Sequence, residues 1–174
     1  MTTDPRYPIG KWARPTAISA ADRAANIAAV AALPAQLRTA VAGLTDAQLD
    51  TPYRDGGWTV RRLVHHVADS HLNFYTRAKL ALTEDRPTIK PYDEEAWARL
   101  ADNALPITLS LHIVDAVQER LAVALRAQPE AAFQRPVVHP VSGDFTVDSL
   151  ISMYVWHGKH HVAHISALRA ARGW

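Results

Sequence analysis

The sequence predicts an all-α chain folded as an antiparallel four-helix bundle, with a short hairpin or an irregular crossover ahead of the last helix. Three observations predict it. Four long stretches repeat apolar residues at intervals of three or four, the signature of a helix with one buried face. Most are bounded by capping or breaking residues, Ser, Thr or Pro at the start and Gly or Pro at the end. No convincing run of alternating strands competes with them. The 174 residues suit a single domain, 1–174, without repeat, low-complexity tract or linker.

In order, residues 1–18 hold Pro5, Pro8 and Pro15 and read as an extended arm. Ser19 is an N-cap with Asp22 three residues on, in capping-box position. Ile27, Val30, Leu33, Leu37, Val41 and Leu44 then mark an amphipathic helix, expected to bend or break near Pro34. Thr45 to Asp50 reads as a short capped turn of helix. Pro52, Gly56 and Gly57 make a loop, and Thr59 caps a second long helix from about Val60 to about Leu82. The stretch TEDRPTIKPYDEEAW reads as a loop plus a short helix near Asp93, with Trp97 and Leu100 tucked inward. A third long helix follows from Pro106 to about Ala127, its stripe read as Leu109, Ile113, Val117, Leu121 and Leu125. Ser142-Gly143-Asp144 signals a turn. Thr146 caps the fourth helix, Val147 to Arg172, and Gly173 stops it.

Composition narrows function by exclusion. Hydrophobic residues at 48% and charged residues at 21% fit an ordinary globular chain. Lys and Arg (19) nearly balance Asp and Glu (17) without a basic run, which argues against a nucleic-acid partner. No uninterrupted apolar twenty-mer or signal-type segment is present, so no membrane partner is expected and the cytoplasm is the default compartment. With no cysteine, disulfides, thiolate ligands and a cysteine nucleophile are excluded.

The chemistry concentrates in Tyr154–Ile165, where four histidines fall within eight residues. Residues four apart on a helix share a face, giving two candidate pairs, His157/His161 and His160/His164. The inward stripe of this helix, Leu150, Tyr154, Ile165 and Leu168, contains His157 and His161. His160 and His164 lie to one side, with His164 a candidate pocket wall. The same test on the second helix favours His66 over His65. Three imidazoles from two helices leave a coordination position open, as catalytic rather than structural sites do. Such a centre activates water, polarises a carbonyl, or takes a substrate thiol as its thiolate. Asp69, one turn from His66, is a candidate acceptor for the second ring nitrogen. Imidazole-only ligation suits one divalent ion per chain, Zn or Ni.

These segments carry a resemblance as well. YPIG near the start, LDTPYRDGGWTV, HHVADSH, PYDEEAW, YVWH with the HH and AHI that follow, and the final Gly-Trp together resemble the DinB/YfiT superfamily. The resemblance covers nearly the whole chain and departs from it at Gly158-Lys159-His160, where a more His-rich stretch is expected. It implies a four-helix bundle with a divalent metal on three histidines: His66, eight positions after Trp58, and the pair His157 and His161. It also implies nickel or zinc, a homodimer, and activity as a metal-dependent hydrolase on a small-molecule substrate. Wider members of the superfamily attach or rearrange low-molecular-weight thiols such as bacillithiol and mycothiol. A thiol S-transferase is therefore the alternative reading, favoured by the lack of an evident general base. A non-enzymatic metal-binding stress protein is the third.

Overall fold

Three of the four long helices begin at a side-chain cap, and the one that follows Pro106 begins without one. The computed structural model describes residues 4–174; the first three residues of the arm lie outside the described residues. The helices are α1 (Ala20–Val41), α2 (Asp46–Leu49), α3 (Val60–Thr83), α4 (Glu94–Trp97), α5 (Ile107–Arg126) and α6 (Val147–Arg172), with strands β1 (Pro136–His139) and β2 (Gly143–Thr146). Ser19, Thr45 and Thr146 form capping boxes with Asp22, Gln48 and Ser149, as their spacing requires. Thr59 caps α3 by accepting from the Arg62 amide. Gly173 closes α6 in the left-handed conformation, φ 69°. Helix α1 runs on through Pro34 rather than breaking there.

Cross-helix pairs fix the bundle topology. Arg38 of α1 meets Asp115 of α5, while Ile27 lies by Leu125, so α1 and α5 run antiparallel. His66 faces His157 and Arg77 faces Tyr154, which makes α3 and α6 antiparallel too. The other two seams are parallel. Arg23 pairs with Asp148 near the starts of α1 and α6, and Arg169 reaches the Ala40 carbonyl near their ends. His65 pairs with Ser110, and His71 with Gln118, along α3 and α5. The expected four-helix bundle thus has an up-down-down-up order. A parallel seam needs a return connection, and residues 84–106 supply it, crossing from one end of the bundle to the other with α4 on the way.

The element before α6 is a hairpin: β1 and β2 pair antiparallel from Pro136 with Thr146 to His139 with Gly143. Thr88 of the crossover adds a single parallel bridge to Val138. Residues 4–18, expected as an arm, lie along α6. Arg14 donates to the Asp144 and Ser142 carbonyls, Trp156 donates to the Gly10 carbonyl, and His164 reaches the Arg6 carbonyl.

Two inward assignments from the sequence are corrected. Trp97 and Leu100 are 39% and 58% exposed, because α4 rides on the bundle surface by its polar contacts. On α5 the buried face holds Ile107, Leu111, Val114, Leu121 and Leu125, leaving Leu109 and Ile113 outside. That face also carries Ser110 and Gln118, which the α3 histidines hold inward.

The apolar core is split in two. One cluster, with Phe74, Leu121, Phe145, Leu150 and Tyr154, lies toward the hairpin. The other, with Leu33, Leu37, Leu63, Val67, Val114 and Ile165, lies at the far end. His66, His71, Gln118, His157 and His161 fall between them. Buried polar side chains forming a layer between apolar clusters have to be satisfied by one another or by a ligand.

Candidate metal centre

Histidines at 157 and 161 point the same way because they are one helical turn apart on α6, and His66 arrives from the antiparallel α3. The His157 Nε2 atom lies 3.2 Å from His66 Nε2 and 3.1 Å from His161 Nε2. Ring centroids are 4.5 Å to 5.2 Å apart, with interplanar angles from 57° to 78°. Burial makes all three rings neutral. It lowers His66 to about 4, and His157 and His161 well below the usual histidine value, neighbouring imidazoles adding to the effect on the last two.

This arrangement leaves hydrogen bonding short. His157 Nε2 has one lone pair or one proton, so it cannot satisfy both neighbours as donor or as acceptor. Tetrahedral ligation at about 2.0–2.1 Å separates nitrogens by about 3.3 Å, close to the 3.1 Å and 3.2 Å found. The residues present therefore fit a divalent ion. With Nε2 turned to an ion, Nδ1 carries the proton, and Nδ1 of His157 and of His161 is buried without a partner. His71, wholly buried beside His157 with centroids 5.6 Å apart, has its own Nε2 unpartnered.

The other sequence candidates separate cleanly. His65 is structural: its Nε2 donates to the Leu105 carbonyl and its Nδ1 accepts from the Ser110 hydroxyl. His160, His161 and His164 also bring ligand atoms within 4.8 Å of one another. That set draws on α6 alone, and His164 already donates from Nε2 to Arg6. His164 instead walls the pocket, its ring 4.1 Å from that of Tyr53. Asp69 makes no side-chain hydrogen bond to His66 among the described residues, and burial followed by Asp102 pushes it up to about 6. It is not the expected acceptor.

The three imidazoles open onto a cleft of about 390 Å³. Trp58 covers His66 with centroids 4.7 Å apart and donates from Nε1 to Glu95 at 2.8 Å. Glu94, next along α4, lines this cleft with the histidines. Burial first, then Glu95 and Asp93, raises its carboxyl above the usual range. Sequence reading passed over Glu94 because DEEAW looks like a solvated helix start; the signal was its position within an otherwise irregular crossover.

Fold and site together define a helical-bundle protein with a three-histidine candidate metal centre. The model of the DinB superfamily matches residues 29–165, and the chain belongs to that superfamily. It is 47% identical to "Putative metal-dependent hydrolase GK0616" of Geobacillus kaustophilus over 99% of both chains. It is 48% identical to a protein of the same description from Geobacillus thermodenitrificans, again over 99% of both. Among solved structures it is similar to YfiT from Bacillus subtilis, described as a probable metal-dependent hydrolase with an unusual four-helix bundle topology. That likeness has a TM-score of 0.95 at 43% identity and covers 99% of each chain. No helix among the described residues is long and apolar enough to cross a membrane.

Proposed function

We propose that this protein is a metal-dependent hydrolase holding one divalent ion, Zn or Ni, on His66, His157 and His161. The observation that carries the reading is the convergence of three buried, neutral imidazole nitrogens that cannot satisfy one another. The names of the relatives support it. When bound, the ion supplies Lewis acidity toward a carbonyl-type oxygen and activates water. The chain supplies the rest. Trp58 and His164 wall the cleft, and the neutral rings keep the lone pairs available. Glu94 takes a proton from the attacking water and returns it to the departing oxygen or nitrogen as the acyl bond breaks. Burial and its acidic neighbours raise its carboxyl, which makes it a stronger base than a free carboxylate. A carboxylate here favours water over a thiol as the nucleophile, so thiol S-transfer is the second choice. We further propose that the protein acts as a homodimer.

The test is elemental analysis of protein purified without a histidine tag or metal column, beside His161→Ala. About one Zn or Ni per chain, lost in the variant, is expected. A chain that neither carries nor takes up either ion overturns the reading. Glu94→Gln should keep its metal and lose roughly 100-fold or more in turnover of activated esters or amides. Turnover that requires an added low-molecular-weight thiol would select the transferase reading. Metal without turnover under either condition would leave a non-enzymatic metal-binding role.

A further inference from the structure

A second cavity, about 240 Å³, adjoins the cleft and shares Glu94, Trp156 and His157 with it. Its floor is Arg77 of α3, only 7% exposed. That guanidinium donates to the Tyr154 hydroxyl and to the Lys90 carbonyl, both at 2.6 Å, so both partners are neutral. Its Nε is buried with no partner. Among the described residues no carboxylate lies within 4.0 Å of it, although the other buried arginine, Arg23, has Asp148 at 2.7 Å. A buried cation held only by dipoles, with a donor to spare, is a costly arrangement unless an anion completes it.

The surrounding groups agree. Ser70, Tyr92 and Tyr154 line the same cavity and bring hydroxyl groups to it. His139 of β1 accepts at Nδ1 from the Val141 and Ser142 amides, so its proton is on Nε2 as a further donor. Arg77 is among the causes that lower His139, which places a positive field there. Among the described residues the only acid lining the cavity is Glu94, at the wall shared with the cleft. Burial and its acidic neighbours Glu95 and Asp93 raise its carboxyl.

We propose that this cavity is an anion subsite, where Arg77 takes a carboxylate or phosphate group with Ser70 and His139 assisting. The substrate is then an anionic small molecule, its charged group on Arg77 and its scissile group beside His157. The second statement rests on the hydrolase reading; the first does not. Arginine in a fork geometry is suited to such groups, and a desolvated guanidinium strengthens the bond.

The experiment uses metal-free protein, stripped with chelator, so that anions cannot be held by an ion on the histidines. Malonate and inorganic phosphate are titrated at constant ionic strength, with chloride as control. Tryptophan fluorescence, to which Trp156 at the cavity wall contributes, and the thermal midpoint are followed in parallel. Saturable binding of malonate or phosphate and a raised midpoint are expected, the tighter probe naming the group. Arg77→Met should weaken binding roughly tenfold or more. His139→Ala, on the hairpin and away from the bundle packing, should weaken it by several-fold with the fold retained. If Arg77→Met does not fold, Arg77→Lys and His139→Ala decide. A wild-type response no greater than that to chloride, or an equal response in the foldable variants, overturns the proposal. Anion binding in protein that takes up no metal would keep the subsite and remove the hydrolase reading.

Discussion

Gly158 sits between the two α6 histidines and faces α1 across a parallel seam. A Cβ built on it would lie 2.8 Å from both δ-carbons of Leu33 and 3.4 Å from Cγ. Carbon atoms pack at about 3.5–4.0 Å, so an added methyl needs close to an ångström of relief. Rotating Leu33 about its last bond does not give it, because one δ-methyl replaces the other. Leu33, 4% exposed in the far core cluster, has to change χ1, or the helices have to part. Overpacking costs about 1–3 kcal/mol, against a gain of about 1 kcal/mol from replacing glycine within a helix. Gly158→Ala is therefore expected to lose about 1 kcal/mol net. Leu33→Ala alone should lose about 2–5 kcal/mol by leaving a cavity. The double variant should be more stable than the sum of the two by about 1–2 kcal/mol, since the new methyl enters the vacated space. Urea unfolding of metal-free protein measures all four corners of this cycle. A Gly158→Ala protein at least as stable as the parent, or strict additivity in the double variant, would refute the claim that this glycine sets the α1–α6 approach.

Acid should destabilise metal-free protein from pH 6.5 downward. Unfolded histidines take up protons near 6.5, while native His66 resists to about 4 and His71 to about 3. The unfolded state binds more protons across that window, so each of the two removes about 1.4 kcal/mol per pH unit; denaturant midpoints against pH read this out, and a flat profile down to pH 4 would contradict it. Arg23 and Asp148 form a buried two-bond ion pair at 2.8 Å and 2.7 Å, to which Gln134 adds a donor. Asp148→Asn should cost up to about 3–5 kcal/mol, leaving the guanidinium only the exposed Glu130 at 3.6 Å, checked by the same unfolding assay. The proposed homodimer should sediment at about twice 19.2 kDa; changing exposed Leu109 and Ile113 together to Asp is expected to return it to the monomer mass, and a monomeric parent would end that proposal.

Helix extent was legible because caps and periodicity are local. Ser19, Thr59, Thr146 and Gly173 each stand where their side chain or lack of one is used. The facing of His157 and His161 was legible for the same reason, since their neighbours Tyr154 and Ile165 define the inward stripe. The face of α5 was misread where polar residues occupy it: nothing in the sequence says that Ser110 and Gln118 answer histidines 45 and 47 positions earlier. Helix order was also hidden, because it depends on which seams close around the polar layer. Nothing in the sequence marks Arg77 as a buried charge. Only packing against Tyr154 and the crossover makes it a buried one.

The arm along α6 brings the first described residues against the histidine cluster, with the Arg6 carbonyl on His164. Any imidazole-rich extension joined ahead of it would be tethered within a short span of the cleft. Its effective concentration there would reach the millimolar range typical of short flexible tethers, enough to compete for an ion or complete its coordination. The opposite terminus behaves differently: Trp174 turns back onto α6, its amide bonded to the Arg169 carbonyl, and packs with the far core cluster. Affinity handles placed there leave the metal content of the native ligands readable, whereas those at the start become part of the coordination chemistry they were meant only to report.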